Sequence, residues 1–137
     1  MNSFSELKKL KTLLVDDDEL IRDSLKIAFS AKGCAMRVAE SAEEGLEAIR
    51  EEKFDIIISD YRLPGMNGLD FIKQAAFIQP LAARFLITAY RDDHIVSKAV
   101  RIGVNEFIEK PFSVKVLVNL LALALKHQER DRAAVAK

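Results

Sequence analysis

The 137-residue sequence has a single cysteine, no tryptophan and no surplus of charge of either sign. Lone Cys34 excludes an internal disulfide, and two widely separated histidines are a poor start for a zinc site. Cys34 follows Gly33 and reads as a small structural residue. Lysine plus arginine number 21, as do aspartate plus glutamate, so overall charge points to neither nucleic acid nor an anionic membrane as partner. No apolar run reaches bilayer-spanning length, and the opening "MNSFSELKKLK" lacks the continuous apolar stretch of a secretion signal. A cytoplasmic location without membrane contact is the expectation. Neither G-x-G-x-x-G nor G-x-x-x-x-G-K-[ST] occurs, so a glycine-rich phosphate loop is also missing.

What is present is an alternation. Short apolar runs, "TLLV" (12–15), "AMRVA" (35–39), "DIIIS" (55–59), "RFLIT" (84–88) and "NEFIE" (105–109), are separated by segments of helical period. In the first of these segments Leu20, Ile21, Leu25 and Ala28 share a face, with Gly33 as a stop. The second opens with Ser41 and Glu44 in capping-box spacing. The third follows Gly68, the fourth ends at Gly103, and the fifth and longest begins after Ser113. Strand-plus-helix units with short connections predict an α/β fold: a parallel sheet with helices on both faces. The runs "LLV" (13–15) and "DIII" (55–58) are apolar on both sides and predict central strands, whereas 35–39 alternates as an edge strand does. Residues 11–127 read as one domain, 1–10 as an N-terminal extension and 128–137 as a helical C-terminal extension or linker.

Open parallel sheets collect functional groups beyond the carboxyl ends of their strands. Those ends carry Asp16, Asp17 and Asp18 after the first strand, Asp60 after the third, Thr88 after the fourth and Lys110 after the fifth. Carboxylates crowded into one cleft perturb each other's protonation unless a cation sits among them. All-oxygen ligation suits Mg²⁺, which bridges carboxylates to phosphate. Asp60 beside such a metal can act as a nucleophile toward a phosphoryl group, with Lys110 and Thr88 stabilising the transferring oxygens. Asp18, one place beyond the acidic pair, is assigned to the start of the first helix, where the dipole favours it.

The segments "LLVDDDEL", "IIISDYRLPGMNG", "LITAY" and "EFIEKPF" resemble, in order and spacing, the signature segments of receiver domains of two-component response regulators. The resemblance covers about residues 10 to 127. It implies a flavodoxin-like (βα)5 doubly wound sheet of order 2-1-3-4-5, and phosphorylation of Asp60 by a sensor histidine kinase or a phosphotransfer protein. Asp17 and Asp60 would ligate Mg²⁺ by side chain, Asp16 through water or more weakly, and Arg62 through its backbone carbonyl. Lys110 would pair with the phosphoryl group, and its bond to Pro111 is commonly cis in the family. The family's switch pairs a hydroxyl with an aromatic residue, here Thr88 and Phe107. Relatives often carry tyrosine at the latter place, and phenylalanine lacks the hydroxyl that holds an outward rotamer, so an inward bias and a smaller switching range are expected.

Arg62 and Tyr90 each lie two residues past a site residue, and both are bulky. They are expected to flank the in-line path of water to the Asp60 phosphoryl bond and to slow self-hydrolysis. In "LPGMNG", Pro64 fixes a backbone angle, Gly65 and Gly68 supply conformations that a Cβ disfavours, and Met66 reads as a lid or contact residue. From Val114 onward, apolar residues cover more than the single stripe a packed helix needs. The surplus predicts a contact with a second copy or an output domain, shared with the preceding helix around Ile95, Val96 and Val100. Beyond Leu125 the charged "KHQERDRAAVAK" resembles a linker to an effector, with no room for a DNA-binding unit, so no direct nucleic-acid binding is expected.

The expected role is signalling, with catalysis limited to the protein's own aspartyl phosphorylation and dephosphorylation. An aspartate-nucleophile phosphatase also begins with Asp-x-Asp after an apolar strand, and Asp16-x-Asp18 fits that start. Leu20 stands where that family has Thr or Val, and no cap domain is visible. A phosphorylation-independent interaction module is the third reading.

Overall fold

The computed structural model describes the backbone of residues 3–136 and the side chains of residues 4–128. Strands β1 (Lys11–Val15), β2 (Ala35–Ala39), β3 (Ile56–Asp60), β4 (Ala83–Thr88) and β5 (Glu106–Glu109) form one sheet of order β2-β1-β3-β4-β5. All four pairings are parallel. Helices α1 (Ser3–Leu7), α2 (Glu19–Ala31), α3 (Ala42–Glu51), α4 (Gly68–Ile78), α5 (Asp93–Arg101) and α6 (Val114–Ala136) surround it. This is the doubly wound order expected from the sequence, with β2 at the edge and β1 and β3 central.

Successive side chains of a strand point to opposite faces, so each apolar run feeds two cores. Leu13, Val15, Ile57 and Leu86 pack with Leu46, Ile49, Phe71, Ile72 and Ala99 under α3, α4 and α5. Leu14, Ile56, Ile58, Phe85 and Ile87 pack with Leu25, Phe29, Leu117, Val118 and Leu121 under α2 and α6. Fully burying one such side chain contributes roughly 1.5–3 kcal/mol, so these layers carry the stability of the sheet. β1 lies between β2 and β3, and the chain reverses direction across the sheet there, opening a crevice beyond the carboxyl ends of β1 and β3.

Three details differ from the sequence reading. Leu20 is 74% exposed rather than on the buried face of α2, and Phe29, one turn past Leu25, is buried in its place. Leu20 lies in the first turn of α2 and borders a groove with Lys110, Pro111 and Phe112 instead of meeting the sheet. Residues 3–7 form α1, whose Leu7 is fully buried and whose Phe4 ring stands edge-on to Phe29 at 5.5 Å. Glu6 of this helix pairs with Lys126 of α6 at 3.1 Å, so part of the apolar surplus of α6 is covered from within the chain.

Candidate functional site

Each strand end delivers its polar group into the crevice. Asp16 follows β1 and is fully buried; its amide donates to Ala39 O at 3.1 Å, and its Oδ1 accepts from Asp18 N at 2.9 Å. Asp18 in turn caps α2, accepting from Leu20 N at 2.9 Å, as its sequence position predicts. Asp17 between them is exposed and faces the cleft: carboxylate oxygens of Asp16, Asp17 and Asp60 all lie within 4.8 Å of one another. Asp60 ends β3 and is only 5% exposed. Lys110, just after β5, donates from Nζ to Asp60 Oδ2 at 3.0 Å and lies 3.5 Å from Asp16 Oδ2.

The charges do not balance here: three carboxylates share one ammonium. Burial, reinforced by the charge of Asp60, raises the Asp16 carboxyl to about 6, against the opposing pull of the Asp18 amide and Lys110. Burial lowers Lys110, but its hydrogen bond to Asp60 and the charges of Asp16 and Asp60 outweigh that and raise it. Among the described residues, Asp16 Oδ2 is buried without a hydrogen-bond partner. A buried, unsatisfied carboxylate oxygen beside two further carboxylates is a donor set for a hard divalent cation, and all-oxygen ligation matches Mg²⁺.

The loops around this cluster are pinned at both ends. Tyr61 N donates to Ile87 O at 2.8 Å, and Gly68 N donates to Tyr61 O at 2.7 Å, which brackets the turn that carries exposed Arg62. Gly65 has φ +80°, a conformation a Cβ disfavours. Gly68 does not: it is needed for space, because a Cβ there would meet Asp60 O at 2.0 Å. Asn67 caps α4 by accepting from Asp70 N at 2.9 Å. Thr88, 3% exposed, donates its hydroxyl to Tyr90 O at 2.8 Å and accepts from Tyr90 N at 3.2 Å. Tyr90 itself is 75% exposed. Phe107 is half-buried against the α3–α5 core, with the Arg91 guanidinium 5.3 Å from its ring centroid. The Lys110–Pro111 bond is cis.

Residues 12–122 match the response regulator receiver domain. The chain belongs to that family. This receiver is similar to the receiver domain protein (CheY-like) from Methanospirillum hungatei JF-1, with a TM-score of 0.83 at 30% identity over 89% of this chain and 98% of that one. A response regulator of Burkholderia pseudomallei, solved with a phosphorylated aspartic acid, calcium and citrate, has a TM-score of 0.76 at 29% identity, covering 89% of this chain and 72% of that one. The transcriptional regulator NtrC of Klebsiella pneumoniae is 32% identical over 119 residues, 87% of this chain but only 25% of NtrC. The receiver thus spans about a quarter of that relative's length.

The structure brings together Asp16, Asp17, Asp60 and Lys110, places Thr88 at the end of adjoining β4, and leaves Arg62 and Tyr90 exposed on flanking loops. Sequence reasoning missed the groups that brace the receiver's cleft. Arg22, one turn into α2, donates from Nη1 to Asp16 O at 2.8 Å and pairs with Glu40 at 3.7 Å. Its signal was a cation four residues after the Asp18 cap. Arg91 carried no signal, because its partner Phe107 lies far along the chain on β5.

Proposed function

We propose that this receiver accepts a phosphoryl group on Asp60 from a phosphohistidine of a sensor histidine kinase or phosphotransfer protein, with Mg²⁺. Modification of Asp60 then switches a partner-binding or dimerisation surface. The observation that carries this reading is the placement of Asp60: nearly buried, hydrogen-bonded to Lys110 and joined with Asp16 and Asp17 in one oxygen-rich cluster. Bound Mg²⁺ would neutralise the cluster and stabilise charge on the phosphoryl oxygens. Asp17 and Asp60 would hold it by side chain, Asp16 through water or more weakly, and Arg62 through its carbonyl.

In the transfer, an Asp60 carboxylate oxygen bonds to phosphorus as the phosphorus–nitrogen bond of the donor breaks, and the electron pair returns to the donor's imidazole. Lys110 exchanges its hydrogen bond with Asp60 for one with the new phosphoryl oxygens. Thr88 leaves the Tyr90 backbone to donate to the same group, and Phe107 moves into the space it vacates. A groove of about 480 Å³ lined by Leu20, Ile21, Pro111 and Phe112 opens beside Lys110 and offers the donor protein an apolar resting place. On the other flank, Val100 of α5 is 63% exposed and Leu123 of α6 is 57% exposed. This face of α5, β5 and α6 suits a second copy or an output domain.

The test is intact mass after incubation with Mg²⁺ and acetyl phosphate, comparing wild type with Asp60→Asn. One phosphoryl adduct that requires Mg²⁺ and disappears in the variant is expected. Absence of an adduct in wild type would refute the reading and favour an interaction module independent of phosphorylation.

A further inference from the structure

Phe107 lacks the hydroxyl with which a tyrosine would anchor itself outward, yet its ring has a partner. The Arg91 guanidinium lies 5.3 Å from the ring centroid, within the range where a cation is attracted to an aromatic face. Arg91 occupies the loop that follows Thr88, the last residue of β4. On one side of it the Thr88 hydroxyl is tied to the Tyr90 backbone by bonds of 2.8 and 3.2 Å. On the other side Asp92 caps α5 through His94 N at 2.7 Å and Ile95 N at 3.4 Å. The residue that follows the strand of Phe107 is tied to the start of this loop, since Lys110 N donates to Thr88 O at 2.9 Å.

From this geometry we infer that Arg91 is a positioning residue, a latch whose contact with the Phe107 ring holds the ring and the loop after Thr88 together in the resting arrangement. The inference rests on the proposed phosphorylation switch and adds the element that sets its resting position. Turning the Thr88 hydroxyl toward Asp60 forfeits both bonds to Tyr90 and loosens the segment whose next residue is Arg91. Moving the ring inward withdraws it from the guanidinium. Each change therefore weakens the contact that opposes the other, which makes the two movements concerted. Arginine suits the role because its planar, weakly hydrated cation stacks on a ring, whereas lysine presents a compact hydrated charge.

A cation–π contact at an exposed site biases a two-state equilibrium by about two- to fivefold. Arg91→Ala is accordingly expected to shift the Phe107 ring resonances in the unphosphorylated protein and to raise the phosphorylation rate from acetyl phosphate by about two- to fivefold. Arg91→Lys should fall between wild type and Arg91→Ala. In a Phe107→Leu background, Arg91→Ala should bring no further gain, which separates a contact with the ring from a general effect of charge. Unchanged ring resonances in Arg91→Ala, or an equal gain in the Phe107→Leu background, would overturn the latch. Should wild type form no adduct at all, the phosphorylation reading fails, and the ring resonances of the unphosphorylated variants still decide whether Arg91 holds Phe107.

Discussion

The two ends of this sheet are built on opposite principles. At the amino end of the strands, Gln79 and Arg84 each satisfy several backbone groups, and among the described residues there only Thr12 Oγ1 is buried without a hydrogen-bond partner. Gln79 accepts from Phe54 N at 2.7 Å and donates to Ile49 O at 2.8 Å and Glu52 O at 2.7 Å. Arg84 donates to Gly103 O at 3.1 Å and to Pro80 O and Ala82 O at 3.2 Å each. At the carboxyl end, among the described residues, Asp16 keeps a buried oxygen without a hydrogen bond, and three clustered carboxylates share one ammonium. Satisfied networks define one arrangement, while unsatisfied groups leave free energy for a ligand to release. The difference teaches that the fold spends its polar bonding mostly on a rigid floor and leaves the acidic end open to a ligand, which on the proposed reading is a metal and a phosphoryl group.

Breaking the floor should show this most strongly. Gln79→Ala leaves one amide and two carbonyls without their partner, and is expected to destabilise the protein by about 3 kcal/mol. Chemical denaturation measures the loss. Mg²⁺ affinity at the far end of the sheet should stay within twofold, since additivity holds for distant sites without shared partners. A large loss of Mg²⁺ affinity would mean that the ends are coupled and the comparison too simple.

The opposite sign is expected at the site. Because the folded-state Asp16 carboxyl is raised to about 6, the folded protein holds that proton more tightly than the unfolded chain does. Without metal, stability should therefore fall as pH rises from about 4 through about 6, then level off. A shift of about two units corresponds to on the order of 3 kcal/mol. Asp16→Asn abolishes this slope and also gives up the ion pair with Lys110, for a net gain of about 2 kcal/mol near pH 7.5 without metal. The same substitution should weaken Mg²⁺ binding, so that saturating Mg²⁺ stabilises wild type more than the variant. Urea titrations at several pH values, with and without Mg²⁺, check both halves. A variant no more stable than wild type without metal would show that the buried carboxylate carries no strain.

Legibility followed the range of the interactions involved. The apolar runs announced β1 and β3 because a strand buried on both faces must be apolar at every position, and the Asp18 and Ser41 caps bind donors two or three residues away. Helix α1 was not legible: five residues form a helix there because Leu7 and Phe4 find partners on distant α6 and α2. Gly68 was singled out for the wrong reason, since its need is space against Asp60 O rather than an unusual φ. The braces Arg22, Gln79 and Arg91 reach groups 6 to 30 residues away, and no local periodicity encodes such contacts. Strand ends name the polar groups that converge, but what holds them there comes from the tertiary fold.

The smallest effect on stability is expected from Arg62 and Tyr90, which flank the site from exposed positions on two loops. No packing is lost on truncating exposed side chains, so Arg62→Ala with Tyr90→Ala should change stability by no more than about 0.5 kcal/mol. Hydrolysis of the Asp60 phosphoryl group needs water in line with the bond to be broken, and we propose that both side chains crowd that approach. The phosphorylated double variant should lose its adduct severalfold faster than wild type, followed by intact mass after removal of the phosphodonor. An unchanged decay would mean that water reaches phosphorus unhindered. Lifetime would then be set within the cluster itself, where Lys110 and the carboxylates control the charge that must leave. A faster decay with stability intact would instead place the timing of the signal in residues that contribute nothing to the fold.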